Sequence, residues 1–292
     1  DDLDEDRRGY ENFVGTTLGV RGDLRRDEQS NVNNFDQYVQ GQWQPQRQWL
    51  LLAGVRRSSV GVRSRDLYIA PGNGDDSGST RYRALSPVFG ATFKASDGVN
   101  VYTAYGEGFE TPTLNELSYR ADAGSPAGFN FDLKPAYSKN YEAGIKTMIG
   151  RDLRANLAIF HIDTRDEITV LSNTDGRAVF QNAGATRRDG AELAFAGTWA
   201  NGLGAALAYT WLRAEYARSF CSATCSAATL VAAGNRIPGV PADALYAEVS
   251  WRHPAHGFTA AVEGKYGGEI FVDDINSDTA PDYVVVNLRA GL

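Results

Sequence analysis

The connections between the extended stretches of this chain alternate between short and long, and that rhythm restricts the fold more than any single motif. Two-residue periodicity marks approximate strands at 12–21, 34–44, 48–62, 81–94, 99–107, 137–149, 152–170, 179–198, 203–216, 243–253, 257–271 and 283–292. Residues 45–47, 96–98, 150–151, 200–202 and 254–256 make short links, while 22–33, 63–80, 108–136, 217–242 and 272–282 make long ones. The connection 171–178 is intermediate and falls where a long one is due. In an antiparallel, up-and-down sheet this puts every long loop at one end and every tight turn at the other. A soluble sandwich has no reason to keep that asymmetry; a transmembrane barrel does. The expected fold is all-β: an antiparallel up-and-down transmembrane β-barrel portion of about twelve long strands.

The strand faces agree with this reading. Phe258, Ala260, Val262 and Tyr266 alternate with Thr259, Glu263 and Lys265. Tyr141, Ala143 and Ile145 are expected outside, with Glu142, Gly144 and Lys146 inside. Trp43, Trp49, Trp199, Tyr216, Trp251 and Tyr266 lie near strand ends, as interfacial girdles require. With 31 Gly, 11 % aromatic residues and no long stretch at helical spacing, no helix is expected. No apolar run approaches the ~20 residues of a membrane-crossing helix. A net charge of −7 without a basic run argues against nucleic acid as a partner. The charged opening, Asp1–Arg8, is no secretory signal, and 283–292 is a strand still running, so residues 1–292 read as part of something larger.

Local chemistry is sparse. Three His residues, with no G-x-S-x-G, H-E-x-x-H or phosphate-binding Gly loop, form no catalytic constellation, so neither an enzyme nor a cofactor nor a metal centre is expected. Cys221 and Cys225 share a Ser/Ala-rich loop; a disulfide of an exported protein is favoured over a zinc half-site, which needs two more ligands. Asp274, Asn276 and Asp278 keep the first spacings of a calcium loop, but Thr279 and Val285 stand where Gly and Glu belong, leaving an Asx turn as the better reading. His253 and His256 bracket a turn, and His161 is expected in the lumen or at an interface. Gly184 and Gly190 are expected at bulges in a long strand.

Six segments in order then carry a resemblance. They are 105–117 (YGEGFETPTLNEL), 133–146 (LKPAYSKNYEAGIK), 158–170 (AIFHIDTRDEITV), 180–192 (FQNAGATRRDGAE), 235–241 (NRIPGVP) and 271–288 (FVDDINSDTAPDYVVVNL). With them the chain resembles the C-terminal barrel portion of TonB-dependent outer-membrane receptors. The resemblance implies a partial β-barrel domain over 1–292 whose plug domain and final strands are absent from these residues. It implies a receptor and transporter in the bacterial outer membrane for energised uptake of a scarce ligand, a ferric siderophore first. Its partners would be a ferric chelate or similar small ligand, outer-membrane lipid, and the TonB complex through the missing N-terminal part.

On that resemblance, ligand contacts are expected from loop tips and lumen residues at the long-loop end: Tyr68, Tyr82, Phe109, Glu110, Tyr119, Arg120, Arg187 and Arg188. Aromatic and cationic groups there would hold an anionic, often aromatic chelate. Two rival readings stay open at the level of sequence: a passive porin or adhesin barrel, and a soluble all-β ligand-binding module.

Overall fold

The computed structural model describes residues 1–121, 128–174, 177–222 and 225–292. One sheet of twelve strands dominates: β1 (Asp2–Tyr10), β2 (Leu24–Gln46), β3 (Trp49–Asp66), β4 (Gly78–Ser96), β5 (Val99–Glu110), β6 (Ala136–Ile149), β7 (Leu153–Arg165), β8 (Ala185–Thr198), β9 (Leu203–Tyr216), β10 (Asp243–Arg252), β11 (Thr259–Gly267) and β12 (Tyr283–Gly291). Neighbours in sequence are neighbours in the sheet throughout, every described pairing is antiparallel, and β1 and β12 form its edges. The long connections all leave one end and the tight turns the other. Gly202 shows what such a turn demands: its φ is +84°, and a Cβ there would meet the Arg252 carbonyl oxygen at 1.9 Å.

Register separates two faces. Gly41, Ala53, Phe89, Tyr105, Tyr141, His161 and Asp189 are successive cross-strand partners, so they share one side. Towards the tight-turn end this side carries Trp43, Trp49, Val101, Ile145, Leu157 and Val262, all exposed. Leaving so much apolar area in water would cost about 25 cal/mol per Å², so this is the face that lipid covers. The opposite side is polar. Tyr102 donates to Glu142, the Lys146 ammonium lies 4.8 Å over the Tyr102 ring, and Arg289 pairs with Glu248 at 2.7 Å. Alternation thus assigns an apolar outside and a wet inside.

Among the described residues, packed core lies at the long-loop end, on the lumen side. Val62, Tyr82, Leu117, Phe129 and Leu133 form one cluster, and Ala183, Tyr216 and Val231 a second. Tyr82 Oη donates to the Leu133 carbonyl at 3.0 Å, tying the loop 111–135 down onto β4.

Several local expectations are corrected. Residues 12–21 are no sheet strand; they hold only the small hairpin Phe13–Val14 with Thr17–Leu18, and the edge strand is the charged Asp2–Tyr10. The expected long strands 152–170 and 179–198 end at Arg165 and begin at Ala185, because Ile168–Thr174 and Arg177–Asn182 pair as a separate hairpin. Gly184, with φ +89°, sits between that hairpin and β8, whereas Gly190 lies in regular pairing and makes room for the Phe160 ring, 2.2 Å from where a Cβ would stand. One short helix, α1 (Leu114–Leu117), breaks the all-strand expectation; Thr113 and Glu116 form its capping box. Tyr216 is no girdle residue: it is 2 % exposed and donates to Asp274 Oδ1 at 2.6 Å.

Candidate functional site

Where the long loops fold back over the lumen, they enclose a cavity of about 200 Å³ between the ends of β1, β2 and β3, the loop 67–77 and the loop 111–135. Its walls carry Arg7, Arg8, Arg25, Arg26 and Arg177, with Tyr68 and Tyr119 as aromatic neighbours. Glu28, Asp66 and Asp76 are the carboxylates of the lining. Cations therefore outnumber anions, and all three carboxylates are already engaged, Glu28 by Arg26. Asp66 accepts from the backbone N–H of Tyr68 and of Asp76, which shapes the loop, and Asp76 pairs with Arg120 at 2.7 Å.

Arg26 is the organising group. Its side chain is 12 % exposed and lies 2.6 Å from Glu28 Oε1, while Nη2 donates to the Ser118 carbonyl at 3.3 Å. The guanidinium stands 4.8 Å over the Tyr119 ring, and Arg177 stands 5.9 Å over the same ring. Arg7 donates to Ser118 Oγ at 2.6 Å. The residue closing α1 thus grips two arginines, which explains why a four-residue helix sits in a barrel loop. The buried Arg26 Nη1 and Glu28 Oε2 have no hydrogen-bond partner among the described residues, so the cavity holds unspent polar capacity. Burial pushes the Glu28 carboxyl up, against the pull of the Arg26 guanidinium. Glu28 lies in the part of β2 that extends beyond the apolar band, in the collar.

The eight expected contact residues divide. Tyr68 and Tyr119 line the cavity; Arg120 stands beside it, committed to Asp76. Tyr82 is buried in the core beneath the loops. Phe109 packs 5.5 Å from the Tyr137 ring, and Glu110 is exposed where β5 ends. Arg187 and Arg188, adjacent in sequence, point to opposite faces: Arg187 reaches Asp163 outside at 3.6 Å, and Arg188 pairs inside with Glu167 at 2.9 Å. The arginine doublets at 7–8 and 25–26 are visible in the sequence, but only the pairing of Gly9 with Arg26 and of Arg7 with Glu28 brings them together. Part of the long loop, 122–127, lies outside the described residues.

Other motifs resolve as local structure. Cys221 and Cys225 are joined as a disulfide, their Cα atoms 5.3 Å apart. Asp273 accepts from Ser277 N–H and Oγ–H, and His253 Nδ1 accepts from the N–H groups of Ala255 and His256, so both are turn caps. His161 sits on the outer face between Asp189 and Asp163, at 2.6 and 3.0 Å.

The family described as TonB dependent receptor-like, beta-barrel matches residues 2–292. The metal-pseudopaline receptor CntO of Pseudomonas aeruginosa is 27 % identical over 221 residues, covering 74 % of this chain and 28 % of that protein. A probable TonB-dependent siderophore receptor of Acinetobacter baumannii, PiuA, is 23 % identical over 270 residues, covering 89 % of this chain and 34 % of that protein. The crystal structure of the Acinetobacter baumannii PiuA receptor superposes with a TM-score of 0.73 at 20 % identity, over 92 % of this chain and 38 % of that one. The chain thus spans about a third of the length of the curated relatives it matches. This family consists of outer-membrane transport receptors, and the lipid-facing band and asymmetric loops described above are its architecture. The chain belongs to the TonB-dependent receptor-like β-barrel family.

Proposed function

We propose that this chain forms the ligand-accepting wall of an outer-membrane uptake receptor, and that its cargo is an anionic metal chelate, a ferric siderophore first. The observation that carries this reading is the arginine cavity under the loops, with the unpartnered Nη1 of Arg26 buried in it. Carboxylate, catecholate or hydroxamate oxygens around a bound metal would meet guanidinium groups in charge-assisted pairs, and the Tyr68 and Tyr119 rings would flank an aromatic chelator. The relatives named for a metal-pseudopaline complex and for siderophores fit that cargo class. The metal is substrate here, not a resident cofactor. In this reading the barrel domain of residues 1–292 works with a plug domain and a TonB-contacting segment supplied by other parts of the protein, and transport rather than catalysis is its task.

Arg26→Ala in the intact receptor is the test. Uptake of radiolabelled iron from a panel of chelates should fall by about tenfold or more for one chelate class, since a lost buried ionic hydrogen bond is worth roughly 1.5–3 kcal/mol. Unchanged uptake across the whole panel would defeat the reading.

A further inference from the structure

The outer face carries a second arginine group that the cavity does not use. Arg57, Arg63 and Arg65 on β3, and Arg81 and Arg83 on β4, are all exposed and all share the face of the lipid-covered band. Burial alternates around them: Ser64 between Arg63 and Arg65 is buried, as is Tyr82 between Arg81 and Arg83. The five therefore point away from the packed core, and nothing that fills the lumen can reach them. β3 and β4 also lie well inside the sheet, away from both edges.

Neighbours leave them their charge. Arg83 faces Ser59 and Arg81 faces Gly61, small residues that give the guanidinium groups room. On the β2 side the same rows hold Asn33, Phe35 and Gln37, all neutral. On the other side Tyr137 Oη donates to the Arg83 carbonyl at 3.1 Å, and Arg165 stands 4.6 Å over the Tyr137 ring, adding a sixth cation. Arg63 and Arg65 share a groove with Asp4 and Asp6. Arg57, Arg81 and Arg83 make no ion pair among the described residues. Directly below them the same face turns apolar: Leu85 and Phe89 are exposed, and a groove of about 920 Å³ runs past Phe89, Trp43, Leu51 and Ile159.

We propose that this surface seats a phosphate-bearing lipid of the outer leaflet, its headgroup phosphate on Arg57, Arg81 and Arg83 and its acyl chains along the groove beneath. An unpaired cation cluster bordering an apolar strip matches both halves of one amphiphile. Neutralising several guanidinium groups that stand apart from any carboxylate needs an anion from outside the protein, and the membrane interface supplies one at that height. The site is separate from the cavity and would stand whatever chelate the cavity accepts.

The test uses the intact receptor in dodecyl maltoside, with thermal unfolding followed on titration with dioctanoyl phosphatidic acid. Dioctanoylglycerol supplies the same chains without phosphate, and inorganic phosphate supplies the anion without chains. The wild type should be stabilised saturably by phosphatidic acid and by neither comparator. The triple variant R57Q/R81Q/R83Q should bind it roughly a hundredfold more weakly, R57K/R81K/R83K should keep most of the affinity, and R151Q, in a tight turn at the far end, should behave as wild type. If the glutamine triple fails to assemble, R83Q alone should still weaken binding several-fold. Equal stabilisation by dioctanoylglycerol, equal stabilisation by inorganic phosphate, or wild-type affinity in the glutamine variants would each overturn the proposal.

Discussion

Arg26 and Arg83 stand at the same end of neighbouring parts of one sheet, yet their surroundings differ. Arg26 faces the lumen, is nearly buried, and shares its charge with Glu28 and the Tyr119 ring. Arg83 faces outward, is exposed, and meets only a serine across the strand pair. The lumen side at this end is filled by the protein's own loops, so a cation there must be held by hydrogen bonds and ion pairs. The outer side is left to whatever surrounds the barrel, so a cation there that meets no carboxylate on its own face, unlike Arg187 beside Asp163, is open to an external anion. Packing also differs in kind: the lumen clusters are conventional protein core, while the outer band is left exposed by the described residues.

Leu117→Ala presses hardest on the lumen side. Leu117 is fully buried, and its truncation should cost about 2–5 kcal/mol from lost transfer energy and the cavity left behind. Because α1 holds Arg7 and Arg26 through Ser118, the loss should appear as faster proteolysis within the loop 111–135 and weaker chelate binding. The heat-resistant barrel band on a gel should persist. If that band vanished with the loop contacts, the core under the loops would be holding up the sheet as well.

The outer side is broken from within one strand. Leu157 and Asn156 are adjacent on β7 but face lipid and lumen respectively. Leu157→Arg should cost about 2–4 kcal/mol in urea unfolding from vesicles, as a charge in the lipid-facing band does. Asn156→Arg should stay within about 0.5 kcal/mol, as an exposed substitution in a wet lumen does. Equal penalties would mean that the faces are assigned the wrong way round.

Much of this sheet is legible because membranes impose patterns that no packing can blur. Lipid on one side and water on the other force strict alternation along β6 and β10, and those strands match their expected spans closely, whereas β11 stops at Gly267, short of the expected 271, because Ile270–Phe271 pairs with Thr279–Ala280 instead. Legibility fails where lipid stops. Above the band, β1 and the first part of β2 are charged on both faces, so the two-residue period loses its hydrophobic marker and residues 2–10 do not read as a strand. The hairpin Ile168–Thr174 with Arg177–Asn182 keeps the period of the strands it interrupts, so only its separate pairing reveals it. The short helix did leave a trace: Thr113 followed three residues later by Glu116 is a capping box. The site was half legible. Tyr68 and Tyr119 were reachable from loop position, but the assembly of Arg7, Arg25, Arg26 and Arg177 depends on strand register across distant segments, which no local spacing encodes.

Glu28 gives the finest test of the contrast, because it sets how much of the Arg26 charge the cavity can offer. Burial raises its pKa above 4.5, with Asp66 adding to the rise, while Arg26 and Arg7 oppose it. A carboxyl whose folded pKa is raised binds its proton more readily folded than unfolded. Its contribution therefore favours the folded loop end at acid pH and is lost as pH climbs through the raised value. Glu28→Gln should remove that slope, leaving the urea midpoint of the intact receptor flatter from acid to neutral pH than in the wild type. The same change frees Arg26 from its ion pair, so at neutral pH an anionic chelate should bind the variant more tightly. No such gain is expected at Arg83, whose row across β3 and β2 holds Ser59 and Phe35 and no carboxylate to remove. A variant with the wild-type pH slope would show that Glu28 does not control the charge of the cavity, and a chelate affinity unchanged at neutral pH would show that Arg26 does not receive the ligand.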